Sequence, residues 1–396
     1  MLLEIYKFIK RLGPLFLLLC FALTINHRTG YITLIGIFSV LVFIAYTLNN
    51  KLDKTAGIIL LYVFTYVFFS IFNGFTYPLS TLILYLISPF IFYQYGHIIV
   101  SKCNSNNMCM FIWFVIIFTY CVDIFCITIQ NIIVSGQIIN PTRFFSFNEE
   151  DPTKVSATGI GLPMDIGMIG LPMFFIVKSK YLRICFISLF FLSLLTTLHL
   201  LNRTGLIIAA FCSISIIFLH YRKNIKKIFI FFFVIIFIVY IMFYLNIIND
   251  ELLEFYNSRN EDFSTMGSRS YRWSDAFNHL FFYWFGWYDG NDSYFIHNMW
   301  LDIARISGII PFSLLCYLTY DSFRKVLFLM KHLNSTLSFM LLGLNICFFS
   351  SCFVEPIYGG THMMLYCMLW GTQNALVKLY KKQKNENTFC NWIISD

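Results

Sequence analysis

Apolar residues in this chain fall in long runs, at roughly 12–25, 30–47, 56–73, 78–95, 108–133, 158–177, 184–201, 204–220, 228–247, 294–319, 335–353 and 359–377. A helix that crosses a bilayer needs about 20 predominantly apolar residues. The sequence therefore predicts an all-α, polytopic integral membrane protein with about 12 transmembrane helices in a single transmembrane domain over 1–396. Two breaks between runs are long enough to be loops of consequence, a first one at 134–157 and a large one at 248–293 that carries short helices. Lys7, Lys10 and Arg11 precede the first run and no small-residue cleavage site follows Leu23, so that run is read as a retained helix.

Composition narrows the field. Of 396 residues, 58% are hydrophobic and only 12% charged, against about 25% charged in a soluble domain. A water-soluble enzyme and a disordered chain are excluded. The +8 net charge is too thinly spread for the basic stripe of a nucleic-acid binder. Twelve helices would consume ~240 residues, which leaves no room for a separate soluble domain. Any chemistry must sit in loops and at helix ends.

Charge then orients the helices. With the N-terminus placed in the cytoplasm and the runs alternating, the inner segments carry 20 of the 28 Lys and Arg, among them Lys51, Lys54, Arg222, Lys226, Arg324 and Lys378. The outer segments carry seven: Arg28, Arg143, Lys154, Arg203, Arg259, Arg269 and Arg272. This is the positive-inside bias, and it predicts both termini in the cytoplasm. Six of the seven outer bases are Arg, whose planar, permanently charged fork suits phosphate oxygens better than a Lys point charge. Acids beside Arg143 and Arg259 (Glu149, Glu261) offer those two a simple ion-pairing role instead.

Other chemistry is sparse. The 12 cysteines lie within the runs or on the inner side and include no CxxC, so they read as small packing residues rather than a disulfide framework. No HExxH, His/Cys cluster or DxD-type acidic pair in a loop suggests a metal, and no GxxxxGK[ST] loop a nucleotide. Asp123, Asp165 and Asp302 are acids inside runs, where charge is expensive and functional by default. Asp302 and Arg305, three apart on one helix, are expected to neutralise each other.

Three outer segments stand out. Around Thr158-Gly159-Ile160-Gly161-Leu162-Pro163, with Pro172 beyond, a broken, re-entrant or kinked helix is expected. Leu201-Asn202-Arg203-Thr204-Gly205 is a tight turn that holds Arg at the outer surface. In the large loop, Ser268 can cap a helix opening at Arg269, and Arg269, Arg272, Ala276 and His279 then share one stripe. The aromatic run Phe281–Tyr288 suits the membrane interface, and the chain re-enters through His297-Asn298-Met299-Trp300-Leu301, with Gly308 downstream.

An Arg-Thr-Gly turn between mid-chain spans, a long outer loop with Gly-x-Arg opening a helix, and His-Asn-x-x-Leu at the start of a later span together resemble the O-antigen polymerase and O-antigen ligase superfamily of bacterial envelopes. The resemblance implies a C-type, metal-independent glycosyltransferase without a cofactor, working at the periplasmic face of the inner membrane on undecaprenyl-diphosphate-linked oligosaccharides. It implies His297 as the catalytic base, and Arg203 and Arg269, with Arg272 as a weaker extra, as ligands of the diphosphate; Arg143 is a further outer Arg candidate. Two or three Arg can neutralise a leaving diphosphate, and a His can accept the proton of a sugar hydroxyl at neutral pH. Donor and acceptor in a polymerase are both lipid-linked repeats, with a chain-length regulator as a further partner. A ligase, which transfers glycan to lipid A–core, has the same parts. A lipid-linked-oligosaccharide flippase has similar length, but the 45-residue outer loop and the scarcity of bases inside the runs argue against it.

Overall fold

The structure, a computed structural model, describes residues 52–75, 79–136, 138, 144–145, 155–200, 202–244, 269–290, 295–333, 335–354 and 360–386. The first two expected spans, Arg143, Arg259, the acidic run Glu149–Asp151 and the Ser268 cap lie outside these residues. The described helices are α1 Lys54–Phe72, α2 Leu79–Lys102, α3 Asn106–Ser135, α4 Ala157–Gly167, α5 Gly170–Ile176, α6 Lys180–His199, α7 Arg203–Tyr221, α8 Ile225–Tyr244, α9 Arg269–Phe282, α10 Met299–Ser307, α11 Ile309–His332, α12 Thr336–Val354 and α13 Gly360–Glu386. Between α3 and α4, a two-residue antiparallel pair joins β1 Phe144–Phe145 to β2 Val155–Ser156.

Among the described residues, five helices (α1, α3, α6, α7 and α12) are long and apolar enough to cross a membrane. Their outward faces support that role. On α1, Phe64, Phe68 and Phe72 form an exposed row, and Phe229, Phe233 and Phe237 do so on α8. Rows of exposed phenylalanine of this extent call for lipid or a partner rather than water. Beneath them lies one continuous apolar core, in which Trp113, Phe186, Phe348 and Trp370 are fully buried. The described cysteines are free thiols, and Cys109, Cys121, Cys212, Cys347, Cys352 and Cys367 are buried among those rings.

Two expected spans are interrupted. The run 158–177 forms α4 and α5 with a break at Met168–Ile169, and Pro163 and Pro172 lie one in each piece. Proline removes a backbone donor and crowds the preceding turn, so one continuous helix is disfavoured. The run 294–319 is also divided. α10 stops at Gly308, which has φ 85° and ψ −173°, and α11 starts at the next residue. Gly308 is also a point of close approach, since a Cβ there would stand on the Trp284 carbonyl oxygen. At nine residues, about 13 Å, α10 is too short to span a bilayer.

The bundle has two polar ends. At one, Asp53 caps α1 by accepting from the Ala56 N–H at 2.8 Å. It also accepts from the Tyr93 hydroxyl of α2 at 2.9 Å, and from Asn374 at 2.8 Å and Lys378 at 2.6 Å, both on α13. Burial would raise the Asp53 carboxyl, but Lys378 and the N–H and O–H donors outweigh it, and the group lies below its usual range. Beside it Lys325 bridges Asp321 at 2.6 Å and Thr55 at 2.8 Å. Helices α2 and α13 cross backbone on backbone: a Cβ on Gly371 would strike the Tyr93 carbonyl, and one on Gly96 the Met368 carbonyl. Small residues allow such contact between apolar helices, where packing replaces the hydrophobic drive.

The opposite end carries the unusual loop. Asn73, at the C-terminus of α1, donates through Nδ2 to the carbonyls of Phe285 and, at 2.8 Å, of Ile306. The aromatic segment after α9 is thereby clamped between α1 and α10. Trp287 N–H donates to the Arg305 carbonyl at 2.8 Å, and Ile309 N–H to the Trp284 carbonyl at 2.9 Å.

Candidate functional site

The site is built around the turn that enters α10. Asn298 caps that helix, its Oδ1 accepting from the Leu301 N–H at 3.2 Å while its Nδ2 donates to the Phe353 carbonyl of α12 at 3.1 Å. The residue before the cap is His297, with φ 61°. Among the described residues it is the only non-glycine with positive φ. A left-handed, non-glycine conformation of this kind costs of order 1–3 kcal/mol and persists only where its surroundings over-determine it.

The surroundings here are hydrogen bonds on both sides. Asp302 reaches back from α10: Oδ1 accepts from the Ile296 N–H at 2.8 Å and Oδ2 from the Asn298 N–H at 3.2 Å. From α9, Arg272 Nη1 donates to the Phe295 carbonyl at 2.6 Å and Trp273 Nε1 to the Ile296 carbonyl at 3.1 Å. The apolar side chains Ala276, Ile296 and Leu301 pack together beneath, with Trp273 and Trp287 against them.

The expected ion pair between Asp302 and Arg305 is not the arrangement found. Arg305 Nη2 donates to Asp289 at 2.7 Å, and its guanidinium lies over the Tyr288 ring, 5.1 Å from the centroid. Spacing of three allows the two side chains to meet, but Asp302 lies in the first turn of α10, where backbone donors lack intrahelical partners. The carboxylate turns instead to N–H groups ahead of the helix, those of Ile296 and of the cap Asn298.

The arginines come to the same end of the bundle on different elements. Arg269 opens α9, as the sequence pattern suggested, with Arg272 one turn on; both are half-buried. Arg203 is the first residue of α7, behind the cap Asn202, whose Oδ1 accepts from the Thr204 N–H at 3.1 Å. Helix α7 runs antiparallel to α12: Cys212 meets the Gly343 carbonyl and the His220 ring meets Phe339. Arg203 therefore faces the same end as Phe353, which touches both Asn298 and Trp273. Direct bonds join Arg272 to the His297 turn, while Arg203 stands on a neighbouring helix. Close to Arg203, Asp165 is fully buried, with Oδ1 and the Thr197 side chain packed against Gly205. Asp123 is half-buried on α3. His279, the rival histidine, is held within α9 by the Asp275 carbonyl at 2.8 Å and stacks on Tyr283 and Trp287.

Below the turn a groove of about 780 Å³ runs down the bundle between α7, α11 and α12. Phe211 and Leu219 of α7, Phe323 of α11 and Ile346 of α12 line its length, and Trp273 and Asn298 lie at the end next to the His297 turn. Its volume falls in the usual range for ligand sites, ~300–1,000 Å³. Nothing in the spacing of the sequence pointed to this groove, to Asn73 or to the direction taken by Asp302.

Compared with known proteins, the chain matches no protein-family model and no curated protein.

Proposed function

We propose that this chain polymerises lipid-linked oligosaccharide repeat units as a metal-independent glycosyltransferase, with twelve spans, both termini in the cytoplasm and the site on the periplasmic face of a bacterial inner membrane. The observation that carries this reading is the groove. An apolar groove of ligand size ends at Asn298, beside the strained His297 turn that Arg272 holds from α9, a layout that suits a substrate with a long lipid, a diphosphate and a glycan. The lipid lies between α7, α11 and α12. The diphosphate meets Arg203 and Arg269, which neutralise the charge that grows as the glycosidic bond breaks. His297 takes the proton of the acceptor hydroxyl as that oxygen bonds to the anomeric carbon. General base catalysis of this kind contributes about 10²–10⁴-fold.

Arg272 has a different part from the one its register suggested. Its guanidinium is bonded to the Phe295 carbonyl, so it secures the turn, and it offers the diphosphate only what that bond leaves over. Arg143 lies outside the described residues and is retained solely as a further outer arginine. A second lipid-linked repeat is the acceptor, and a chain-length regulator is the protein partner this reading calls for.

The test is a deletion strain complemented with single variants. Under the polymerase reading, the deletion leaves one repeat on the lipid A–core, and His297→Gln fails to restore long chains at normal protein level. Accumulation of lipid-linked polymer with no attached glycan assigns a ligase instead. Failure of lipid-linked repeats to reach the periplasm assigns a flippase.

A further inference from the structure

We propose that Asp302 is a positioning residue: its carboxylate clamps the backbone N–H groups on either side of His297 and so fixes where the imidazole leaves the chain, next to Asn298 at the end of the groove. The inference rests on the reading of His297 as the base. Three observations carry it. Asp302 is 1% exposed, and its two oxygens are divided between the N–H of Ile296 and that of Asn298, the residues that bracket His297. The bracketed residue is the described chain's single non-glycine at positive φ. And Arg305, the partner that spacing offers to Asp302, is engaged by Asp289 and by the Tyr288 ring.

The geometry explains why a carboxylate is used. Two N–H donors, one on each flank, require two acceptor atoms on one side chain. A carboxylate has them, whereas an amide has a single acceptor oxygen and would turn an N–H group toward an N–H group. The turn also has its carbonyls engaged from the other side, by Arg272 and Trp273. With both flanking N–H groups and both preceding carbonyls held, the backbone of the turn is fixed, and with it the point and direction from which the His297 side chain leaves the chain. Without the clamp the backbone can relax toward negative φ, which carries the imidazole away from the groove. A catalytic group displaced by about 1 Å loses about 10²-fold in rate.

The experiment uses the full chain, purified in detergent, as wild type, Asp302→Asn, Asp302→Glu and Arg305→Gln. Diethyl pyrocarbonate acylates neutral imidazole, and peptide mass spectrometry gives the rate at His297 relative to His279 in the same molecule. Steady-state kinetics on a lipid-linked repeat give kcat and KM. Asp302→Asn should change the His297 labelling ratio at least threefold and lower kcat about 10²-fold, with KM for the donor within about twofold. Arg305→Gln, which disturbs the same short helix without touching the clamp, should leave the labelling ratio unchanged; a change as large as that of Asp302→Asn would reduce the clamp to general stability and overturn the proposal. If Asp302→Asn does not fold, Asp302→Glu answers the same question, since its added methylene moves both oxygens off the two N–H groups. An unchanged His297 ratio in the Asp302 variants overturns the proposal whatever the activity. A shifted ratio with unchanged kcat also overturns the positioning role. Failure of the underlying reading is seen separately, as a His297→Gln enzyme that keeps its turnover.

Discussion

Gly371→Ala should loosen the bundle, and the structure gives the size of the effect. A methyl group on Gly371 would stand on the Tyr93 carbonyl oxygen, 2.8 Å from its carbon and 3.2 Å from the Gly96 Cα. Carbon atoms pack best at about 3.5–4.0 Å, so α13 must move off α2 by close to 1 Å. All three obstacles are backbone, and no rotamer change relieves them. A radial gap of ~0.5–1 Å forfeits a quarter to a half of each dispersion contact along the seam. Overpacking of this kind costs about 1–3 kcal/mol, at least about fivefold in the folded-to-unfolded ratio. The displacement also pulls on Asn374, one turn further along α13, and through it on Asp53 at the foot of α1. The assay is thermal unfolding of the purified protein followed by intrinsic fluorescence. Gly57→Ala is the paired control, because a Cβ on that exposed residue of α1 meets nothing within 4 Å; replacing glycine there should stabilise by about 0.4–1 kcal/mol. Gly371→Ala melting at or above wild type, with Gly57→Ala unchanged or higher, would refute the backbone-on-backbone crossing.

Arg203→Ala and Arg269→Ala should each leave little or no polymer at normal protein level, and Lys at either position should rescue poorly if the phosphate contact is bidentate. Arg272→Lys should lower kcat more than it weakens donor binding, since its guanidinium donates to the Phe295 carbonyl of the turn; an effect confined to donor affinity would return Arg272 to the diphosphate. Asp53, whose folded carboxyl lies below its unfolded value, contributes stability that is present above about pH 4 and lost as pH falls through the folded pKa. Melting temperature should therefore drop on acidification below that point, and the drop should be smaller in Asp53→Asn. Cysteines introduced near Glu149 or Asp289 should label with an impermeant thiol reagent in spheroplasts, and those near Lys226 or Lys382 should not; external labelling of the 221–227 segment would end the assigned topology.

How much of this was legible beforehand depends on the range of the interaction involved. The start of α9 at Arg269, the break between α4 and α5 that falls between Pro163 and Pro172 and the burial of most cysteines follow from local pattern, because capping, proline geometry and apolar runs act over a few residues. The halves of 294–319 were read as one span because Gly308 is a single residue in an apolar context, and its positive φ is imposed from outside by the Trp284 carbonyl. Asn73 and Ile306, 233 residues apart, meet only when α1 and α10 are already packed. Asp302 is the instructive case. The i, i+3 rule pairs it with Arg305 and is locally sound, yet the turn that leads into the helix offers the N–H groups of Ile296 and Asn298 within reach of its carboxylate. Two such donors, flanking a residue whose backbone is strained, outcompete a buried guanidinium that is bonded to Asp289 and lies over Tyr288. The same competition bears on the four described residues of the five named from the sequence as a site, Arg143 lying outside the described residues. Arg203 and Arg269 open helices, and their role rests on chemistry; Arg272 is committed to the turn, and His297 is fixed by its neighbours' hydrogen bonds. A guanidinium that holds a backbone turn, as Arg272 holds the Phe295 carbonyl, is not distinguishable in a linear pattern from one that does not, because the acceptor lies 23 residues away in the chain.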